Sequence, residues 1–450
     1  VLAKSVVNRP HWARAEWNLR QYAGRKLYVF FGVVGRGQKQ YHDTMFVDDV
    51  RLTGFLTPSP SPTPSGPPTP VPPGPGKPLA GPTYGPAKGW APRAVAEGFD
   101  LPVQHGYDGR HTTVGFIAAA DVNAQDLSQF LAANRVARTG TFRITPIDGG
   151  SKNGDPTVPT LDAETIAALA PGADVIEYTV PEPNELNLID AYDAAIADAK
   201  KLSVLQTPFV QCASSDGAFD SQTNALALHA SAVGVTFVVP SGNTGSACYD
   251  VAEQRNIFGV TTPGSDPYFV TVGGTESMSG AATATPCPCP ISTPVAWDDR
   301  NVNFGGLTGG GISPFPIPSY QKGVRGSPAS ATKRNVPDLA FPAVDDDVYV
   351  TGLNELIDGA SWSSSIATAL FAETVEICGR IGFANPAIYA AYAKAPSKDF
   401  FDVTHGFNGG YVRDVPKGYT AARGYDNVSG LGMPRGFDFA LSVCGRSYRP

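Results

Sequence analysis

No run of apolar residues in this chain approaches the roughly 18–20 needed to cross a bilayer as a helix. Charge is scarce too, at 17% of 450 residues. The first shortage excludes a helical membrane span. The second, with 34 basic against 41 acidic side chains and no Lys/Arg cluster, leaves no electrostatic footprint for nucleic acid or an anionic membrane. The paired Cys-x-x-Cys spacing of a zinc site is missing, and Cys287-Pro288-Cys289 is too tight for a redox dithiol. An initiator methionine and a signal peptide are lacking as well. The chain opens at Val1, which reads as a processed product or a part of something longer.

What is present is a large apolar fraction, 42%, enough for a buried core and contrary to general disorder. Glycine and proline are abundant, at 49 and 41 residues, and part of that excess is local. Residues 57–82 contain 12 Pro, four Gly and six Ser or Thr. Such a stretch offers few backbone donors and almost nothing to bury. It reads as an extended polyproline-type spacer of up to about 80 Å, open to O-glycosylation. Six cysteines, few methionines and this segment favour an oxidising, extracellular compartment. The alternative is six buried thiols, and six cysteines allow 15 pairings.

The spacer divides the chain into a module at 1–56, the linker at 57–82 and a domain at 83–450. In the first, 27–34 and 45–52 alternate as strands around the Gly35-Arg36-Gly37 turn. The module resembles the last third of a secreted jelly-roll (MAM-like or carbohydrate-binding) domain. It is far shorter than such a domain, so it is either truncated or completed at its sheet edges by another chain; the alternative is a small independent β-domain. Beyond Tyr84, apolar strands alternate with helices. Strands are expected at 111–120, 174–180, 208–212, 235–240 and 269–272. Helices are expected at 124–134, 159–170 (Pro159 at the first position), 186–202, 222–233 and 361–380. Fully apolar strands between helices predict an α/β fold: a doubly wound parallel sheet with helices on both faces.

Several short segments then fall in a telling order. Ser241-Gly-Asn243-Thr-Gly245 and Val270-Thr-Val-Gly-Gly-Thr275 each follow a strand. Gly309-Gly-Gly-Ile-Ser313, Pro318-Ser-Tyr-Gln321 and Asn335-Val-Pro-Asp338 come next. Asp358-Gly-Ala-Ser361 opens a long helix, and Gly424-Tyr-Asp426-Asn-Val-Ser-Gly-Leu-Gly432 closes the series. Over about 83–447 the chain resembles the sedolisin family of serine-carboxyl peptidases, whose fold is similar to subtilisin. The small residues before Ser361 allow a sharp turn, and a serine at a helix N-terminus meets amides and a dipole that favour developing negative charge. In isolation it would read as a helix cap. The resemblance makes it the nucleophile position.

A serine needs a base. None of the six histidines lies in a His-Gly-Thr motif of the subtilisin type, so a Ser-His-Asp triad is not expected. The family instead uses a glutamate oriented by an aspartate four residues later on one helix face. Here the aspartate position is Asp162 and the glutamate position is Val158. Valine accepts no proton. Glu164 points to another face, and Asp155 lies beyond Pro156. Asp162 itself would have no partner. Other departures concur: the family's oxyanion aspartate is Asn243, a mild change since an amide also donates. The Ser-x-Ser-Trp-Gly pocket wall is replaced by Gln211-Cys-Ala-Ser-Ser215, and a family proline is Ser365.

The resemblance also implies a structural Ca2+ site of two aspartates and several carbonyls. The matching residues are Asp402, the carbonyls of Val403, Ala422 and Gly424, and Asp426, all oxygen donors as a hard cation requires. Asn427-Val428-Ser429 is an N-glycosylation acceptor placed in a tight loop. Asp345-Asp346-Asp347 reads as a solvated turn. These observations predict a secreted pseudo-peptidase acting as an extracellular structural, assembly or binding protein. Self-association or another extracellular protein is the expected partnership, with a glycan as a further candidate ligand. An acid endopeptidase with a remodelled site is the alternative.

Overall fold

The computed structural model describes residues 69–213, 217–250, 254–276, 294–300, 306–412 and 415–448. The chain forms two compact units, Val1–Gly66 and Pro67–Pro450. The strands expected at 27–34 and 45–52, the jelly-roll resemblance and Cys287 and Cys289 lie outside the described residues.

Seven parallel strands make the central sheet of the second unit: β1 (Thr113–Ala118), β2 (Phe142–Pro146), β3 (Asp174–Thr179), β4 (Leu202–Gln206), β5 (Thr236–Pro240), β6 (Phe269–Thr275) and β7 (Leu339–Pro342). Their order is β7-β6-β5-β4-β1-β3-β2. Side chains alternate between two cores. Val114, Phe116, Val175, Val204 and Val238 face one side, with Leu127 of α1 (Ala124–Ala133), Leu161 and Ile166 of α2 (Thr157–Leu169), and Ile366 and Phe371 of α5 (Ala360–Cys378). Ile117, Ile176, Tyr178, Leu205 and Phe237 face the other, with Tyr192 of α3 (Glu185–Ala197) and Phe219 and Ala227 of α4 (Ala218–Val233). Helices thus cover both faces, as the continuous apolar strands require.

Several boundaries move from the sequence expectation. The helix expected over 186–202 ends at Ala197, and Leu202–Gln206 is a fully buried central strand. The expected strand at 208–212 is reduced to the short Gln211–Cys212 pairing with Thr261–Thr262. The apolar Leu-Ser-Val-Leu-Gln run fits the strand period as well as the helical one, and burial on both faces decides it. Helix α2 starts at Thr157 rather than Pro159, because Asp155 Oδ1 accepts from the Thr157 amide (2.9 Å) and hydroxyl (2.7 Å).

The proline-rich segment is seated on the domain from Thr69 on. Thr69–Val71 pairs in parallel with Arg446–Tyr448 at the C-terminus. At the N-terminal ends of β6 and β7, Arg334 is fully buried and forks onto Asp338 at 2.8 and 3.1 Å. The Thr271 amide donates to the same carboxylate, and Leu431 N to the Asp338 carbonyl. This holds the 424–432 loop to the sheet.

Candidate active site

The strand order reverses on either side of β1 and β4, and a crevice opens at the carboxyl ends of parallel strands at such a point. Here a cleft of about 370 Å³ lies beyond β4 and β5, lined by Pro208, Gln211, Asn243, Tyr249, Thr261 and Ser361 among others. Helix α5 begins at its edge. Gly359 N donates to the Ala343 carbonyl at 2.7 Å, anchoring the turn. A Cβ on Gly359 would come within 3.3 Å of Asn243 Nδ2, so the smallest residue stands where the two loops close on each other.

Ser361, the second residue of α5, is half-buried and lines the cleft. Among the described residues none makes a hydrogen bond with its hydroxyl. Asn243 is exposed beside it, and its Oδ1 accepts from the Ala360 amide at 3.0 Å. That bond fixes the amide orientation, because a backbone N–H needs an oxygen opposite it. The Nδ2 hydrogens are therefore directed elsewhere, in a form that donates at any pH, as an oxyanion donor must.

Asp162 is completely buried. Its Oδ1 accepts from Ser365 Oγ at 2.6 Å and from Gln206 Nε2 at 3.2 Å, while Oδ2 has no partner. Gln206 Nε2 also donates to Ser364 Oγ at 3.1 Å. Burial pushes the Asp162 carboxyl up to about 8, the two hydrogen bonds opposing only in part. The aspartate is thus tied to α5 one turn past Ser361, through the hydroxyl at the position where the resemblance expects proline. Val158, one turn earlier on α2, is 37% exposed. The neighbouring carboxylates have other hydrogen-bond partners. Glu164 is buried and accepts from Tyr349 N at 3.0 Å, and burial pushes it up to about 10. Asp155 is exposed and occupied by Thr157, whose hydrogen bonds hold it below its ordinary value. The described histidines are elsewhere: His105 pairs with Asp100 and His405 with Thr404.

Three acids departed from expectation or escaped it. The Asp345–Asp347 run is not a solvated turn, since Asp346 and Asp347 are buried at the start of the strand Asp346–Val350. The loop before Trp90 wraps Asp347, whose Oδ2 accepts from Gly89 N at 3.2 Å. Burial raises Asp346 well above its ordinary value, with Asp347 and Asp162 adding repulsion. Glu177, in the middle of β3, accepts from Val122 N at 3.1 Å and is pushed by burial up to about 8. A carboxylate between Val-Ile and Tyr, inside an otherwise uncharged strand run after Asp174, was its only signal in the sequence.

Cys212 and Cys248, both on the cleft wall, form a disulfide, and Cys378–Cys444 ties the end of α5 to the C-terminal helix Gly436–Val443. In the loops at 402–426, the Asp402 carboxylate accepts from Gly424 N at 3.0 and 3.2 Å. Asp426 is buried; its Oδ2 accepts from Ala422 N (2.7 Å) and its Oδ1 from Val428 N and Ser429 N. Burial pushes Asp426 up to about 6. Val403 is buried behind them. Asn427 is not a glycan acceptor in this fold: it is buried, its Nδ2 donates to the Gly311 carbonyl at 2.6 Å, and its Oδ1 accepts from Ala329 N.

Fold and site define a class: a subtilisin-like α/β protein with a serine at the mouth of the helix that follows the sheet. Within that class the chain is sedolisin-like. It is 29% identical over 370 residues to kumamolisin from Bacillus sp. (strain MN-32), covering 77% of this chain and 62% of that one. To xanthomonalisin from Xanthomonas sp. (strain T-22) it is 28% identical over 387 residues, 75% of this chain and 44% of the other. To tripeptidyl-peptidase 1 of Homo sapiens it is 29% identical over 241 residues, 48% and 38% of the two chains. Pseudomonas sedolisin complexed with two molecules of pseudo-iodotyrostatin superposes with a TM-score of 0.66 at 27% identity, covering 80% of this chain and 99% of that one. No family model matches. The chain therefore spans less than two thirds of the length of these sequence relatives.

Proposed function

We propose that this chain is a secreted sedolisin-fold protein that does not cleave peptides and acts as an extracellular structural, assembly or binding component. The observation that carries the reading is the state of Asp162. It is sealed from the cleft and bonded to Ser365 and Gln206, with a hydrocarbon one helical turn before it and no described partner on the Ser361 hydroxyl. Base catalysis contributes about 10²–10⁴-fold, so an unassisted serine is inert on a working timescale. Two disulfides among the described residues support an extracellular place, and no described helix is long and apolar enough to cross a membrane. A second reading, an acid endopeptidase, draws on the Asn243–Ala360 geometry, which keeps an oxyanion donor beside Ser361. Incubation with denatured casein from about pH 3 to 7, beside Ser361→Ala, separates the two. No cleavage above the control is expected; cleavage lost in the control would establish the second.

The same reading includes a structural calcium ion. Asp402, Asp426 and the carbonyls of Val403, Ala422 and Gly424 would hold it, an all-oxygen set that suits a hard cation. The fit rests on Asp426: a buried carboxylate raised by desolvation is one that a dication would favour in its charged form. Bound there, the ion would cross-link the two loops. Adding calcium at about 100 times its Kd is expected to stabilise the fold by about 2.7 kcal/mol. Thermal unfolding with calcium and with chelator measures this, and the difference should vanish in Asp426→Asn.

A further inference from the structure

The cleft beside Ser361 has no charged side chain among the described residues that line it. Its volume, about 370 Å³, falls within the range of small-ligand sites, about 300–1,000 Å³. Pro208, Val210 and Pro240 supply apolar wall. Tyr249 lines the cleft as well and is 56% exposed, so a large aromatic ring stands open to water at its mouth.

The polar groups are partly committed within the chain. Gln211 Nε2 donates to Glu185 Oε1 at 2.8 Å, Thr244 Oγ1 to the Ala247 carbonyl at 2.6 Å, and Thr261 Oγ1 to the Ser241 carbonyl at 2.9 Å. Each of the three keeps an oxygen that accepts. Asn243 is the converse, since its Oδ1 is held by the Ala360 amide and its Nδ2 is left to donate. The Ser361 hydroxyl does both. Donors and acceptors are thus interleaved, without charge, beside an open aromatic face.

That combination selects a ligand. An ionic group would be desolvated with no counter-charge to meet it. A peptide laid in as an added strand takes its affinity from a run of free backbone groups. Here the wall strand Gln211–Cys212 is two residues long and pairs with Thr261–Thr262, and Pro208 before it has no N–H to offer. A hydroxyl gives one hydrogen bond and takes another. A sugar ring carries several hydroxyls around its edge and presents a flat C–H face, the kind of surface that an exposed tyrosine ring meets.

We propose that this cleft binds a neutral oligosaccharide without turning it over, with one sugar ring stacked on Tyr249 and its hydroxyls shared among Gln211, Asn243, Thr244 and Ser361. The inference rests on the binding part of the reading above and names the ligand class and its place.

The test uses the full chain in isothermal titration and saturation-transfer NMR. The probes are maltohexaose, cellohexaose, N-acetylchitohexaose, hexagalacturonate and a capped, uncharged Gly-Ala hexapeptide, each up to about 10 mM. At least one neutral oligosaccharide is expected to bind with Kd below about 1 mM, at least about tenfold more weakly in Tyr249→Ala and within about twofold in Tyr249→Phe. Because Tyr249 is exposed, neither substitution disturbs the core. Saccharide binding that Tyr249→Ala leaves unchanged overturns the site. Tighter binding of hexagalacturonate than of the neutral probes, or binding of the peptide alone, overturns the ligand class and leaves a binding protein of another kind. No binding by any probe overturns the inference, while the loss of catalysis is judged separately by casein cleavage.

Discussion

Val158→Glu is expected to raise casein cleavage near pH 4 by about 10²–10⁴-fold over the wild-type chain, the range that a positioned general base contributes. Position 158 is the second residue of α2, so a carboxylate there meets the positive end of the helix dipole and stabilises the fold. The valine is partly exposed, and no buried space is vacated or overfilled. Asp162 follows by four residues and so shares its helix face. One obstacle remains, since the Ser365 hydroxyl already holds Asp162 Oδ1 at 2.6 Å. Val158→Glu/Ser365→Ala should leave that oxygen with Gln206 Nε2 alone, loosening Asp162 to orient the new glutamate, and give the larger gain. Val158→Glu/Ser361→Ala should give none. If both glutamate variants remain as inactive as wild type while folding normally, position 158 is not where the missing base belongs.

The parts of this site that could be read from the sequence are those defined by backbone chemistry at a fixed place in the fold. Gly359-Ala360-Ser361 opens a 19-residue helix in the structure, and Asn243 follows β5 in a loop that reaches the same turn. Small residues before a helix and a polar residue after a buried strand leave few alternatives. The sequestration of Asp162 could not be read, because its partners come from β4 and α5, 44 and 203 residues away. For the same reason Asp346 and Asp347 look like a solvated run: three consecutive acids carry no sign of the loop that wraps them. The docked part of the proline-rich segment is a further case. Its composition suggests nothing to bury, yet Val71 and Leu79 pack into the core, and its extended backbone pairs with a terminal strand. The missed central strand Leu202–Gln206 shows the limit of periodicity itself, since Leu-Ser-Val-Leu satisfies two periods and only tertiary burial chooses.

Raising the pH from about 4 to about 9 is expected to lower the thermal unfolding temperature by about 10 °C, with calcium held constant. Asp162 and Glu177 are raised to about 8 and Glu164 to about 10, each chiefly by burial, and Asp346 is raised further by its acidic neighbours. In the unfolded chain such carboxyls lose their protons near pH 4. Between that pH and the folded values, the unfolded state sheds protons that the native state keeps, so rising pH favours unfolding. The stabilisation is complete below about pH 4 and falls away as the pH climbs through 8 and beyond. Asp162→Asn keeps an acceptor for Ser365 and Gln206 but removes the proton. It should therefore match wild type near pH 4, exceed it by several degrees near pH 9, and flatten the slope between. A wild-type chain whose unfolding temperature rises with pH across this window would mean that the buried acids are ionised in the native state and are held by partners other than those described.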